Sequence, residues 1–236
     1  HLLVSYFLKV SGELFADYEI EIKGTSGDSG FYYRKRLWFV ADKVSIDVKN
    51  PKLWSVNNLG KPNLYDFTVT LYKNGEAVDE YKRKIGVRTI KLVRRDDENG
   101  GKFDFLVNGE RAFIKGINWV PLSTFHSLCE GKYEKAFGYL KDLSVNMVRV
   151  WGGGFYESDK FYEFCDENGI LVWQDFMMTC GIYPWDERFS EIMRKEAEFV
   201  VKRLRNHPSV ALWAGDNECD TDANRWDTSI DPSRNV

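Results

Sequence analysis

A short apolar run with a polar exit constrains the fold of this chain most. Residues 203–218 read RLRNHPSVALWAGDNE, and the run 210–214 is too short for a helix and too apolar for a strand that faces solvent. We therefore expect a parallel strand that is covered on both faces. Asn217 and Glu218 follow its carboxyl end, and in a (β/α) barrel this is the end of the strand that carries the chemistry.

Strands and helices alternate along the second part of the chain. We expect strands at 113–116, 147–151, 170–174 and 210–214, and helices at 132–143, 157–168 and 187–205. Such alternation indicates parallel strands with right-handed crossovers, in either a doubly wound sheet or a barrel. The doubly wound alternative lacks the Gly-x-Gly-x-x-Gly turn that follows its first strand. The pattern covers about four strand-helix units, whereas a closed barrel has eight.

The first part of the chain has the pattern of an all-β domain. We expect strands at 2–10, 15–23, 32–40, 42–48, 65–73 and 78–85, separated by turn-forming segments at 24–30 and 57–62. Asn74 and Gly75 favour a hairpin because both residue types tolerate positive φ. The pattern predicts a small antiparallel sandwich. A scaffold or spacer role is favoured over a binding role, because this part offers no nucleophile and no ligand cluster.

A polar segment separates the two patterns. Residues 94–101 read RRDDENGG, a charged stretch that ends in glycines and is typical of a domain boundary. We therefore predict two domains, at 1–93 and 94–236. A hydrophobic content of 43% is ample for a core in each of them.

The net charge and the cysteine spacing argue against several classes of partner and cofactor. A net charge of -3 gives no electrostatic reason to expect nucleic acid or an anionic membrane, and no apolar run is long enough to span a bilayer. The four cysteines include no Cys-x-x-Cys pair, which argues against a zinc site and a disulfide framework. We expect no metal and no cofactor.

Aromatic and hydrogen-bonding residues recur where the predicted parallel strands end. Indole rings pack against the C–H face of a pyranose, and amides, carboxylates and guanidinium groups bind its hydroxyls. For any one tryptophan core packing is the favoured explanation, and a structural ion pair explains Arg149 equally well. Asn217 could cap a turn, and Glu218 could be a solvated carboxylate. The convergence of four strand ends is what predicts a sugar site, at Asn118-Trp119, Arg149-Val-Trp151, Trp173-Gln-Asp175 and Trp213 to Glu218.

Three motifs in the second part resemble β-mannosidases of glycoside hydrolase family 2. They are RVWGGG at 149–154, CDENGILVWQDF at 165–176 and RNHPSVALWAGDNE at 205–218. In the first part, NPKLW at 50–54 and GVR at 86–88 are similar to the immunoglobulin-like domain that precedes the barrel in that family. The resemblance implies an immunoglobulin-like sandwich followed by the first half of a TIM (β/α)8 barrel.

The resemblance also implies an activity and assigns roles to residues. It implies a retaining hydrolase that removes terminal β-mannose from a β-mannoside or related oligosaccharide, with one glutamate as acid/base and another, after the seventh strand, as nucleophile. Glu218 matches the acid/base, and Asn217 matches the residue that binds the sugar 2-hydroxyl. The other matching or candidate substrate-binding positions are Arg149, Trp151, Asp175, Trp213 and Trp226.

The second catalytic carboxylate is expected on a strand that this sequence does not reach. Retaining hydrolysis needs two carboxyl groups ~5–5.5 Å apart, so we expect the chain to be a fragment that is inactive alone. A half-barrel leaves a strand edge after Val210 that could support self-association. Two alternatives stay open. One is another β-glycosidase of the family, such as a β-galactosidase or β-glucuronidase, and the other is a noncatalytic carbohydrate-binding or scaffold protein.

Overall fold

A computed structural model describes residues 1–9, 17–95, 101–184 and 186–219. The described chain forms two compact units. One comprises His1–Trp54 and Asn63–Arg88, and the other comprises Ser55–Pro62 and the described residues from Thr89 onward. An antiparallel sandwich in the first unit and four parallel strands with intervening helices in the second confirm the predicted fold class.

The first unit contains two antiparallel sheets. Its strands are β1 (Leu2–Phe7), β2 (Tyr18–Ser26), β3 (Ser29–Arg36), β4 (Ala41–Ile46), β5 (Tyr65–Lys73) and β6 (Glu76–Ile85). β1 pairs with β4, and the other sheet has the order β3-β2-β5-β6. Alternate residues of the strands point into one core, in which Ile20, Ile22 and Tyr65 are completely buried.

The two hairpins of the larger sheet differ in how well the sequence predicts them. Asn74 and Gly75 have φ values of 51° and 84°, as expected for the turn between β5 and β6. The turn expected over 24–30 is present but shorter, because β2 continues to Ser26 and β3 begins at Ser29. Gly24 lies inside a strand for a packing reason. A Cβ at that position would lie 2.3 Å from Cζ of the Phe31 ring, which crosses it.

The second unit begins with a three-stranded antiparallel sheet that the sequence pattern did not predict. Its strands are β7 (Ile90–Arg95), β8 (Lys102–Val107) and β9 (Glu110–Ala112). The domain boundary predicted between residues 93 and 94 falls inside β7, and the compact units divide at Arg88. Charged residues on the exposed positions of β7 and β8 hide the strand pattern.

Four parallel strands follow in the order in which they occur along the chain. They are β10 (Gly116–Trp119), β11 (Met147–Val150), β12 (Leu171–Asp175) and β13 (Val210–Ala214). The helices between them are α1 (Tyr133–Asp142), α2 (Asp159–Asn168) and α3 (Glu187–Leu204). This arrangement confirms the predicted first half of a TIM barrel.

The predicted strand at 113–116 is displaced, because β10 begins at Gly116. The reason lies in side chains that take the backbone groups before it. Phe113 O accepts from Nδ2 of Asn58 and Asn146, at 3.1 and 2.8 Å, and Lys115 N donates to Asn146 Oδ1 at 2.7 Å. These groups are satisfied without a strand partner.

The helices begin and end at residues that the sequence makes recognisable. Asp186 caps α3 by accepting from Phe189 N at 2.8 Å, and Gly169 ends α2 with φ 64°. The core between the sheet and the helices contains the fully buried side chains of Phe161, Tyr162 and Leu204. In the described part of the chain, no helix is both long enough and apolar enough to cross a membrane.

Candidate functional site

An arginine joins the carboxyl ends of three neighbouring strands. Arg149, on β11, donates from Nε to Asp175 Oδ1 at 3.2 Å and from Nη2 to Oδ2 at 2.7 Å. Nη2 also donates to Oδ1 of Asn217, which follows β13, at 2.9 Å. The parallel register brings these residues together, because Arg149 lies opposite Trp173 and Asp175 lies two residues further along β12. The structure therefore brings together three of the residues predicted from the sequence.

Asp175 is completely buried, and its carboxylate accepts three hydrogen bonds. Besides Arg149, its Oδ2 accepts from Gly152 N at 3.1 Å. Gly152 allows this contact, because a Cβ there would lie 2.6 Å from Met178 O and 2.8 Å from Phe176 O. Asp175 therefore orients Arg149 and the backbone after β11, and it lies behind the guanidinium rather than in the open part of the site.

Asn217 is buried, and its carboxamide has one orientation. Arg149 is only a donor, so it must face Oδ1. The other end, Nδ2, lies 3.2 Å from Thr179 Oγ1 and 3.4 Å from Cys180 Sγ. The backbone of Asn217 pairs with the segment after β12, through Asn217 N to Met178 O at 3.0 Å and Cys180 N to Asn217 O at 2.9 Å.

Glu218 lies next along the chain and is exposed to solvent. Its φ of 60° is in the left-handed region, which non-glycine residues rarely occupy and which is often found at functional sites. Its Oε2 lies 3.9 Å from Cys180 Sγ, so the thiol contacts both Asn217 and Glu218. The carboxylate is thus accessible at the strand end, beside an asparagine that is held firmly.

The predicted tryptophans take different positions. Trp151 is half-buried after β11, and its ring covers Gly153, where a Cβ would lie 2.0 Å from Trp151 Cη2. Trp213 stacks on Phe176, with ring centroids 5.7 Å apart, and packs against the core between the sheet and the helices.

Register explains the position of Trp213. Its partner in β12 is Gln174, whose Oε1 accepts from Tyr162 of α2 at 2.6 Å, so this side of the sheet faces the helices. Trp213, predicted as a substrate-binding residue, therefore lies on the helix side of the sheet and not beside Arg149. Trp226 lies outside the described residues.

Trp173, which belongs to the predicted strand-end pattern, lies beside Arg149. The guanidinium carbon of Arg149 is 5.8 Å from the centre of the Trp173 ring, and Phe103 of β8 stacks on that ring at 6.1 Å. Phe103 belongs to the sheet that the sequence did not predict. The aromatic support under the arginine could not be inferred without that sheet.

Trp119 was predicted at a strand end but belongs to a separate buried cluster. Its Nε1 donates to Glu157 Oε1 at 2.7 Å, and the hydroxyl of Tyr133 donates to Glu157 Oε2. Glu157 is 1% exposed, and burial raises the pKa of its carboxyl group, while the hydrogen bonds from Tyr133 and Trp119 oppose that rise. This cluster holds the loop after β11 against α1.

Thr179 and Cys180 are site residues that sequence reasoning missed. A signal for them existed. Adjacent parallel strands keep their exits side by side, so residues that follow β12 must lie near those that follow β13. The structure shows this as a parallel bridge between Thr179 and Asn217, beyond the ends of both strands.

A cavity lies on the α3 side of these strand exits. Its volume is about 330 Å³, and its lining is mainly apolar, with Phe176, Met178, Phe189 and Met193 among its residues. Its polar lining residues include Ser190, Arg194 and Asp216, and Arg149 and Asn217 are not among its lining residues. Among the described residues, no group of three or more His, Cys, Asp and Glu side chains is placed to hold a metal ion.

Family models match both parts of the chain. The model described as glycosyl hydrolases family 2 matches residues 8–88, and the model described as glycosyl hydrolases family 2, TIM barrel domain, matches residues 101–236. Beta-mannosidase B of Aspergillus clavatus is 44% identical over 177 residues, which are 75% of this chain and 21% of that protein. The corresponding figure for Aspergillus terreus is 43% identity, with the same coverage. The chain therefore spans about a fifth of the length of these relatives.

Solved structures give the same picture. The crystal structure of beta-D-mannosidase from Dictyoglomus thermophilum superposes with a TM-score of 0.77 and 40% identity, covering 86% of this chain and 26% of that one. A beta-glucuronidase from Parabacteroides merdae superposes with a TM-score of 0.72 at 22% identity, covering 90% of this chain and 26% of the other. At that lower identity the likeness shows only a shared fold.

Proposed function

Because the chain belongs to family 2 of the glycosyl hydrolases, we propose that it contributes the acid/base half of a retaining β-mannosidase site. The support for a mannoside is the identity of 40–44% to proteins named as β-mannosidases. The beta-glucuronidase structure, at 22% identity, supports no competing substrate. The terminal β-mannose residue is thus the proposed substrate unit.

In this proposal, Glu218 donates a proton to the leaving oxygen and then accepts one from the attacking water. Both steps need a carboxyl group that substrate and water can reach, and Glu218 is exposed at the end of β13. Asp175 and Glu157 do not fit this role, because both are buried and fully engaged with neighbouring donors. Glu218 is therefore more exposed than Asp175, Glu157 and the partly buried Asp216, which also follows β13.

The observation that carries the proposal is the bridge from Arg149 to both Asp175 and Asn217. It fixes the carboxamide of Asn217 directly beside Glu218, where a sugar hydroxyl could bind when the leaving oxygen meets the acid. Preorganised polar groups of this kind stabilise a transition state without reorganising during the reaction. The side chain of Arg149 is 27% exposed, so its positive charge reaches the site.

The nucleophile in this proposal is a second carboxylate, supplied by a seventh barrel strand at ~5–5.5 Å from Glu218 across the scissile bond. The chain alone is then expected to show no turnover of aryl β-mannosides. Measurable hydrolysis by the purified chain, lost in Glu218→Gln, would show that both catalytic groups lie within it.

Glu218→Gln in the complete protein that contains this chain tests the acid role. We expect kcat/KM to fall ~10²–10⁴-fold for phenyl β-mannoside and far less for 2,4-dinitrophenyl β-mannoside, whose leaving group needs no proton. Glu163→Gln, on the exposed face of α2, serves as the matched control and should leave both rates unchanged. Equal losses on the two substrates, or no loss, would reject the acid role and favour a noncatalytic carboxylate.

Aryl glycosides of different sugars test which sugar the complete protein prefers. We expect β-mannosides to be cleaved with a higher kcat/KM than the matching β-galactosides and β-glucuronides. A preference for either of the other two sugars would keep the mechanism but assign the chain to another β-glycosidase of the family.

A further inference from the structure

The segment that follows β12 contacts the proposed acid/base and its neighbour at the same time. Thr179 forms a parallel bridge with Asn217, and Cys180 N donates to Asn217 O at 2.9 Å. The side chains repeat this pairing, since Thr179 Oγ1 and Cys180 Sγ lie 3.2 and 3.4 Å from Asn217 Nδ2. The strand pairing of β12 and β13 is thus prolonged up to Glu218.

The two segments that follow β12 and β13 then each turn at a residue with an unusual backbone conformation. Cys180 has φ 40° and Glu218 has φ 60°, in the left-handed region that disfavours residues with a Cβ. Such conformations persist only where the surroundings fix them. Here the fixing contacts are the hydrogen bonds between the two turning segments, and they bring Cys180 Sγ to 3.9 Å from Glu218 Oε2.

The thiol has donors on one side and an acceptor on the other. Thr179 Oγ1 donates to Sγ at 3.3 Å, and Asn217 Nδ2 lies within donating distance of the same atom. The S–H hydrogen is then directed to Glu218 Oε2, which is an acceptor when the carboxylate is ionised. Cys180 therefore links the amide that would bind the sugar to the carboxylate that would move the proton.

We infer that Cys180 is the positioning residue of the acid/base, holding Glu218 beside Asn217 with Thr179 as its support. The inference rests on the proposed function, because it assigns a purpose to a contact with the carboxylate that is proposed to donate the proton. Cys180 does not itself contact the reacting atoms. Its effect is expected only in steps that need a correctly placed proton.

The test compares Cys180→Ala and Cys180→Ser in the complete protein that contains this chain. We expect Cys180→Ala to lower kcat/KM about 10-fold for phenyl β-mannoside and less than 2-fold for 2,4-dinitrophenyl β-mannoside, with KM nearly unchanged. Cys180→Ser keeps a donor and an acceptor at the same place, so it should recover most of the lost rate. Thr179→Val should reproduce a weaker form of the alanine phenotype, and Thr179→Ser should not.

A purely structural role would lower both rates by the same factor, and that result would overturn the inference, as would an unaffected rate in Cys180→Ala. If Cys180→Ala does not fold, alkylation with iodoacetamide in a Cys219→Ala background gives the same readout, compared with that background before alkylation. Among the described cysteines Cys180 is exposed and Cys219 is half-buried, whereas Cys129 and Cys165 are buried. Glu218→Gln run in parallel separates the two hypotheses. If it shows the leaving-group dependence and Cys180→Ala does not, only the positioning role fails.

Discussion

Two buried carboxylates near the strand ends are satisfied in opposite ways. Asp175 is held by the guanidinium of Arg149 and by one backbone amide, whereas the contacts of the Glu157 carboxylate come from an indole and a phenol. The charged partner makes Asp175 part of a group that reaches the rim of the sheet. Neutral donors make Glu157 a local anchor of a loop. Burial of a carboxylate therefore does not indicate function until its donors are known.

Removing the charge of Asp175 should have the largest effect on stability. Asp175→Asn keeps the shape but leaves the guanidinium of Arg149 without a countercharge, and we expect the free energy of unfolding to fall by about 3 kcal/mol. Glu191→Gln is the matched control, because its pair with Arg194 is exposed to solvent and should contribute little to stability. Urea denaturation of both variants measures the difference. Similar losses in the two would show that burial of the first pair has no special weight.

The same substitution, glycine to alanine, at one position near each carboxylate tests the comparison between Asp175 and Glu157. At Gly152 a Cβ would collide with backbone oxygens, so Gly152→Ala should displace the amide that binds Asp175 and cost roughly 1–3 kcal/mol. At Gly138, in the same helix α1 that carries Tyr133 of the Glu157 cluster, a Cβ would meet nothing within 4 Å. Gly138→Ala should therefore stabilise the protein by roughly 0.5–1 kcal/mol through helix propensity. Thermal unfolding measures the change in stability of each variant. Changes of the same sign in both variants would contradict this account.

The smallest expected effect is the contribution of Glu157 to the pH dependence of stability. Burial raises its pKa above the ordinary value of 4.5, so the folded state binds the proton more tightly than the unfolded state. The resulting stabilisation is complete below the unfolded pKa and is lost as the pH rises through the folded pKa. Relative to Glu157→Gln, the wild type should lose stability as the pH increases from 4.5. Parallel profiles in urea, or the opposite slope, would show that the pKa is not raised.

Local patterns in the sequence predicted most elements of the second unit and the residues at the strand ends. The run at 210–214 and the polar exit at Asn217 and Glu218 were visible because the period and composition of a buried parallel strand are local properties. The sheet β7-β8-β9 was not visible, because charged residues occupy several of its exposed positions and its pairing is a tertiary property. Phe103, which stacks on Trp173, was lost with it.

The environment of each site residue likewise depends on tertiary pairing, which the local sequence does not show. Trp213 and Asp175 both lie near strand ends, yet one packs towards the helices and the other lies beneath Arg149. Alternation along a strand decides this, and its phase is fixed only when the register is known. Cys180 was overlooked because its importance comes from Asn217 and Glu218, 37 and 38 residues away in the sequence.

The central claim is that Glu218 is the proton donor and acceptor of a retaining site. The most direct measurement is chemical rescue of Glu218→Ala in the complete protein with 2,4-dinitrophenyl β-mannoside and sodium azide. Azide needs no general base, so we predict a restored rate and β-mannosyl azide as the product, with retained configuration by NMR. A variant that cleaves phenyl β-mannoside at the wild-type rate, or that forms no glycosyl azide and shows no rescue, would contradict the claim.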